Sequence, residues 1–190
     1  MTTQQLFVKA NEELKKVIDQ IRVDQWDLQM PEGLTSKLAT LLESVNYHTY
    51  DDAWVGDVLS GKTKEEVGDV FEHLLTSKNT KEDYDRCNLL AIAAVESYED
   101  LDKIVHLSYG DFTAREYLQH ITIFRVLRVY DIAKLIGCDT TLAPDLLQGM
   151  WEQYATLVDG YRQYGILPAA LKVDESADSQ TKFLALVGRS

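Results

Sequence analysis

Apolar residues recur three and four positions apart through most of this chain, which is the period of amphipathic helices that bury one face against one another. Phe7, Ala10, Leu14, Val17 and Ile21 mark a first helix over residues 3 to 22. A loop with Trp26 and Pro31 follows, and a second helix is expected from near Thr35 to the "SGK" at 60 to 62. Residues 63 to 78 read as a short helical turn and loop. A third helix should run from Thr80, an N-cap candidate, to Tyr98. A fourth opens at Thr113, where Glu116 completes a capping box, and closes at Gly137. A fifth follows Pro144 and turns Leu147, Met150, Tyr154, Leu157 and Tyr161 inward, and a short tail helix is expected within "DSQTKFLALVG". The run "IVHLSYGDFT" at 104 to 113 is strand-like but too short to make a sheet. With 190 residues, the expectation is one all-α domain over 1–190, a helical bundle with crossover connections and an additional C-terminal helix.

Two stripes contain polar residues where leucines belong. On helix two the stripe is Leu38, Leu41, Val45, His48, Asp52, Val55 and Leu59. On helix four it is Ala114, Tyr117, Ile121, Phe124, Arg128, Ile132 and Leu135, with His120 at its margin. Both interruptions fall at mid-height, where bundles build ligand and metal sites because facing helices enclose one volume there. The plainer reading is that a histidine in an apolar stripe is a hydrogen-bonded core residue. His73 and His106 read as loop residues. Tyr47, Tyr50, Tyr117, Tyr130 and Tyr154 read as packing residues with one edge wet.

Charge and cysteine usage narrow the function classes. A formal net charge of −12 argues against nucleic acid and anionic membranes as partners, since both need clustered Lys and Arg. Cys87 and Cys138 form no metal or redox spacing and read as reduced residues of a cytoplasmic protein. No apolar run is long enough to span a bilayer, and the N-terminus does not read as a signal peptide.

Several stretches together resemble a known family. "DQWDLQMPE", "NYHTYDDAWVGDVLSGKTKEEVGD", "VHLSYGDFTAREYLQHI", "RVYDIAKLIG" and "DSQTKFLALVGR" follow one another in the order found in DinB-like four-helix bundles. The similarity is to the actinobacterial branch related to the N-terminal domain of mycothiol-dependent maleylpyruvate isomerase. The resemblance implies a divalent, zinc-like metal held by a histidine of helix two and by an acid and a histidine four residues apart on helix four. It also implies a thiol cofactor, mycothiol, in some members. The first ligand falls on His48. The acid falls on Phe124 and the second histidine on Arg128, and neither of these side chains can ligate. The resemblance thus implies a degraded metal site in which His48 alone is retained.

Three outcomes are open at this point. The pocket of His48, Asp52, His120, Phe124 and Arg128 binds a small anionic metabolite. Alternatively a divalent site is rebuilt through His48, His120 and Asp52, and the chain is a thiol-dependent isomerase or transferase. In the third, an Arg128–Asp52 ion pair closes the pocket and the protein is structural. A small-molecule ligand is the expected partner, and a homodimer is left open.

Overall fold

The structure, a computed structural model, describes residues 1–31 and 40–190. It is mainly helical, with one small sheet among the described residues. The elements in chain order are α1 (Thr3–Asp19), α2 (Leu41–Ser60), α3 (Lys64–Val67) and α4 (Thr80–Glu96). After them come β1 (Ile104–Leu107), β2 (Gly110–Thr113), α5 (Ala114–Ile136), α6 (Pro144–Tyr154), α7 (Val158–Gln163) and α8 (Ser179–Leu186).

Local chemistry explains where the long helices begin. Thr2, Thr40 and Thr113 each accept a hydrogen bond from the backbone N–H three residues on. Gln5, Glu43 and Glu116 return the bond to the cap's own N–H at 2.9, 2.9 and 2.8 Å. Each box satisfies two donors that the first helical turn leaves open. The start of α2 therefore differs from the sequence expectation: Thr40 is extended and caps a helix that begins at Leu41. Thr35 and Leu38 lie outside the described residues. Thr80 is the first residue of α4, not its cap; Asn79 occupies that position without a side-chain bond.

α1 packs against α4 and α5, and α2 also packs against α4 and α5. The four helices thus close a ring in the order α1, α4, α2, α5. Two apolar clusters fill it. One joins the α1 stripe to Leu41 and Val45 of α2, the second half of α5, and α6 and α8. The other joins Phe7 to Val55, Val58 and Leu59 of α2, Ala91 and Val95 of α4, and the first turns of α5. Between the clusters, at mid-helix, lie the buried polar residues Asn11, Asp52, Asn88 and Arg125.

The run at 104–113 does form a sheet, contrary to the sequence expectation. β1 and β2 pair antiparallel from Ile104↔Thr113 to Leu107↔Gly110. A lone hairpin of this length is marginal in water. Here Val105 is fully buried in the second cluster, and the hairpin rests on α2 and α5. Gly110, at φ 141, takes the turn conformation that other residues rarely adopt. The fifth helix also departs from expectation, because it breaks after Tyr154. A tight Leu157 N–H to Tyr154 C=O bond of 2.8 Å redirects the chain into α7.

Candidate functional site

A cleft of about 610 Å³ opens between α2, α5 and the hairpin. α2 contributes Tyr47, His48, Tyr50, Asp51, Trp54 and Val58, one face of the helix at three- and four-residue spacing. α5 contributes Tyr117, His120, Ile121, Phe124 and Arg128 on the same principle. His106 to Tyr109 of the hairpin and Lys64 of α3 complete the wall. Of the residues singled out in the sequence, His48, His120, Phe124 and Arg128 share this cleft. Asp52 does not.

Asp52 points into the ring's centre. Arg125 Nε donates to Asp52 Oδ1 at 3.2 Å and to Asn11 Oδ1 at 3.0 Å, and its Nη2 also bonds Asp52. Its Nη1 donates to the Ile121 carbonyl at 2.9 Å, and the Phe7 ring lies 5.0 Å from the guanidinium carbon. Asn88 Nδ2 donates to Asp52 Oδ2 at 3.2 Å, to Asn11 Oδ1 at 2.8 Å and to Tyr84 Oη at 3.3 Å. One side chain from each of the four long helices meets here, and the pair is buried on both sides. The Arg128–Asp52 ion pair of the third outcome is therefore not formed: Arg125 is Asp52's partner. The reason is rotation. One residue along a helix turns a side chain by about 100°, so Asp52 faces the centre while Asp51 faces the cleft.

Arg128 is anchored from the other side. Its Nη1 donates to Asp131 Oδ2 at 2.9 Å. Arg189, from the end of the chain, grips the same carboxylate with Nε to Oδ1 at 2.9 Å and Nη2 to Oδ2 at 3.0 Å. Nothing local in the sequence signals that contact, because 58 residues separate the partners.

The cleft's titratable groups are strongly shifted. Burial, reinforced by the charges of Arg128 and Arg125, holds His48 neutral, well below the usual histidine range. Its Nδ1 is buried with no hydrogen-bond partner among the described residues. Burial raises the Asp51 carboxyl to about 7; Arg125 pulls it down and Asp52 pushes it up. Asp51 makes no hydrogen bond or ion pair among the described residues, yet its charge is the main cause raising the Tyr47 hydroxyl and adds to the burial that raises those of Tyr109 and Tyr117. His120 is half-buried, packs 4.8 Å from the Phe112 ring and takes a 3.3 Å contact from the Tyr109 hydroxyl at Nδ1. Burial lowers its pKa and Glu116 opposes the shift. Chemically, the cleft offers a carboxyl raised toward neutrality, three imidazoles of which His48 is held neutral, several phenol donors, the Arg128 guanidinium and the Lys64 ammonium.

Asp51, Tyr109 and His106 were not anticipated as cleft residues, and Tyr47, Tyr50 and Tyr117 were read only as packing residues. The 3.6-residue spacing from His48 through Asp51 to Trp54 and Val58 was the available signal for Asp51, but the stripe one residue away is more apolar. The ligand set His48, His120 and Asp52 is not assembled, because Asp52 is turned into the Arg125 network. Among the described residues no group of three or more histidines, cysteines or acids is placed to hold a metal ion. A zinc-type site needs at least three protein ligands, so these residues do not fit the metal that the DinB-like resemblance implies. Compared with family models, curated proteins and solved structures, the chain finds no match in any of the three.

Proposed function

We propose that the protein binds a small anionic metabolite in the cleft between α2 and α5, and that it is a DinB-like four-helix bundle whose metal chemistry has been lost. The ring order α1, α4, α2, α5 supports the bundle, since it needs long crossings from α1 to α2 and from α4 to α5. The helices α6 to α8 are the C-terminal addition. Tyr130 and Asp131 keep the aromatic and acid of the family's helix-four run. Phe124 and Arg128, at the two absent ligand positions, line the cleft beside His48. Both cysteines are free, which supports a reducing, cytoplasmic setting. No described helix is long and apolar enough to cross a membrane.

The observation that carries the reading is the placement of Arg128 on the wall of a cleft large enough for a metabolite. A guanidinium grips carboxylate or phosphate through paired N–H groups, and the half-buried setting of the cleft floor, where Arg128 is only 5% exposed, strengthens that attraction relative to open water. His48, being neutral, adds a hydrogen bond without adding charge.

Thermal shift with small carboxylates and inorganic phosphate tests it. The unmodified chain should be stabilised by at least one such anion. Arg128→Leu should lose that stabilisation, and Arg128→Lys, which keeps the charge without the fork, should retain part of it. Equal anion effects in the parent and in Arg128→Leu would overturn the reading.

A further inference from the structure

We propose that the Asp51 end of the cleft is a binding site for a protonated organic amine, held by the Asp51 carboxylate and by the faces of Tyr47, Tyr50, Trp54, Tyr109 and Tyr117. The inference shares the cleft with the anion reading but uses none of Arg128's chemistry, so either can stand without the other.

The first support is the position of Asp51. It is the one carboxylate on the cleft wall among the described residues, and no described residue forms an ion pair with it. Arg125, the cation whose charge acts on Asp51, is committed to Asp52, Asn11 and the Ile121 carbonyl. A carboxylate half-removed from water without a bonded partner favours any ligand that brings a positive charge to it. An anion brought to the same place would be repelled.

The second support is the wall. Tyr47 and Tyr50 have ring centroids 6.2 Å apart, Tyr50 and Trp54 6.0 Å, so three consecutive aromatic rings line α2 around Asp51. Tyr109 and Tyr117 approach from the hairpin and from α5, near enough for the Asp51 charge to raise both phenols. Aromatic faces carry negative electrostatic potential and attract ammonium groups, most strongly when water is excluded. A bare metal ion gains little from such a wall, since it needs several lone pairs. A substituted ammonium uses one carboxylate and several ring faces together.

The third support is polarity along the cleft. On α2, Asp51 lies one turn beyond His48, and the charge that reaches His48 most strongly is Arg128. Arg128 is not among the charges that act on Asp51. Arg128 thus acts at the His48 end of the cleft and the amine site belongs to the Asp51 end; Lys64, which also lines the cleft, forms no ion pair with Asp51 among the described residues.

Isothermal titration of the full chain at pH 8 with 2-phenylethylamine, 2-phenylethanol and 3-phenylpropionate tests the proposal. The amine should bind at least tenfold more tightly than the isosteric alcohol. That comparison uses the unmodified protein and does not depend on any variant folding. Asp51→Asn should reduce amine binding tenfold or more. Equal binding of amine and alcohol, no binding of the amine, or an amine affinity untouched by Asp51→Asn overturns the amine site. Absence of 3-phenylpropionate binding to the unmodified chain counts against the anion reading and leaves the amine site standing.

Discussion

Two adjacent aspartates carry opposite roles. Asp52 is locked to Arg125 in the ring's centre, while Asp51 stands in the cleft with its carboxyl raised to about 7 from an ordinary 3.8. Because the folded value lies above the unfolded one, the folded state keeps a proton that the unfolded chain has already released. Stability is therefore lost as pH rises through the window between those values. The loss from Asp51 is at most about 4 kcal/mol, roughly three pH units at about 1.4 kcal/mol each. Asp51→Asn cannot ionise, so it should match the parent near pH 4 and be more stable by about 1–4 kcal/mol at pH 8. Urea melts of both chains across that range check it, and a gap that does not widen with pH would show that Asp51 ionises as freely as in the unfolded chain. Arg125, Asp52, Tyr109 and Tyr117 all act on this carboxyl, and the comparison of variant with parent removes their common contribution.

At the scale of elements, α5 is where the sequence was easiest to read. Its capping box is a local pattern, Thr113 to Glu116, and the structure forms it with Thr113 Oγ1 accepting from Glu116 N–H at 3.2 Å. Thr113 also ends β2, so one residue joins the hairpin to the helix that carries Tyr117 and His120 into the cleft. Thr113→Ala should cost about 1 kcal/mol. It should also lower hydrogen-exchange protection in the first turn of α5 more than at its buried centre. Uniform loss of protection along α5 would mean that the cap does not act locally. The hairpin and the break at 155–157 were harder to read, because both depend on tertiary support. Val105 finds its burial only against residues of α2 and α5, and the turn after Tyr154 is held where the Tyr154 hydroxyl reaches the Gln119 carbonyl at 2.8 Å.

For the whole molecule, the central network ties all four long helices together by polar bonds. Hydrophobic packing tolerates small rotations and slides; a buried Arg–Asp pair with Asn11 and Asn88 around it does not, since each bond depends on position and angle. Asp52→Asn leaves Arg125 buried without its counter-charge and should destabilise the fold by about 3–5 kcal/mol. Asp52→Leu combined with Arg125→Met should recover a large part of that loss, because a buried pair replaced by apolar groups of similar volume is often close to neutral. Chemical denaturation of the single and double variants decides it. A loss below about 1 kcal/mol for Asp52→Asn would place the network outside the fold's essential contacts.

Read alone, the sequence determined the existence of the long helices, though not all their bounds, the one capping box at Thr113 and Glu116, the apolar stripes, and the presence of polar groups at mid-height on two facing helices. These are consequences of local chemistry and of a period that repeats every few residues. Of the five residues singled out on those stripes, His48, His120, Phe124 and Arg128 line one cleft in the structure, and Asp52 lies outside it. The tertiary structure alone decided which neighbour faces which way. Asp51 and Asp52 differ mainly in their angle about the helix axis, and Arg125 and Arg128 lie one turn apart on α5; which of each pair meets the centre is set by how α1 and α4 press on α2 and α5. Periodicity locates a face to within about one residue, or 100°. At that margin a core ion pair and a cleft residue exchange places. Contacts across long stretches of chain, such as Arg189 on Asp131, leave no local trace, because their energy exists only once the ring has closed.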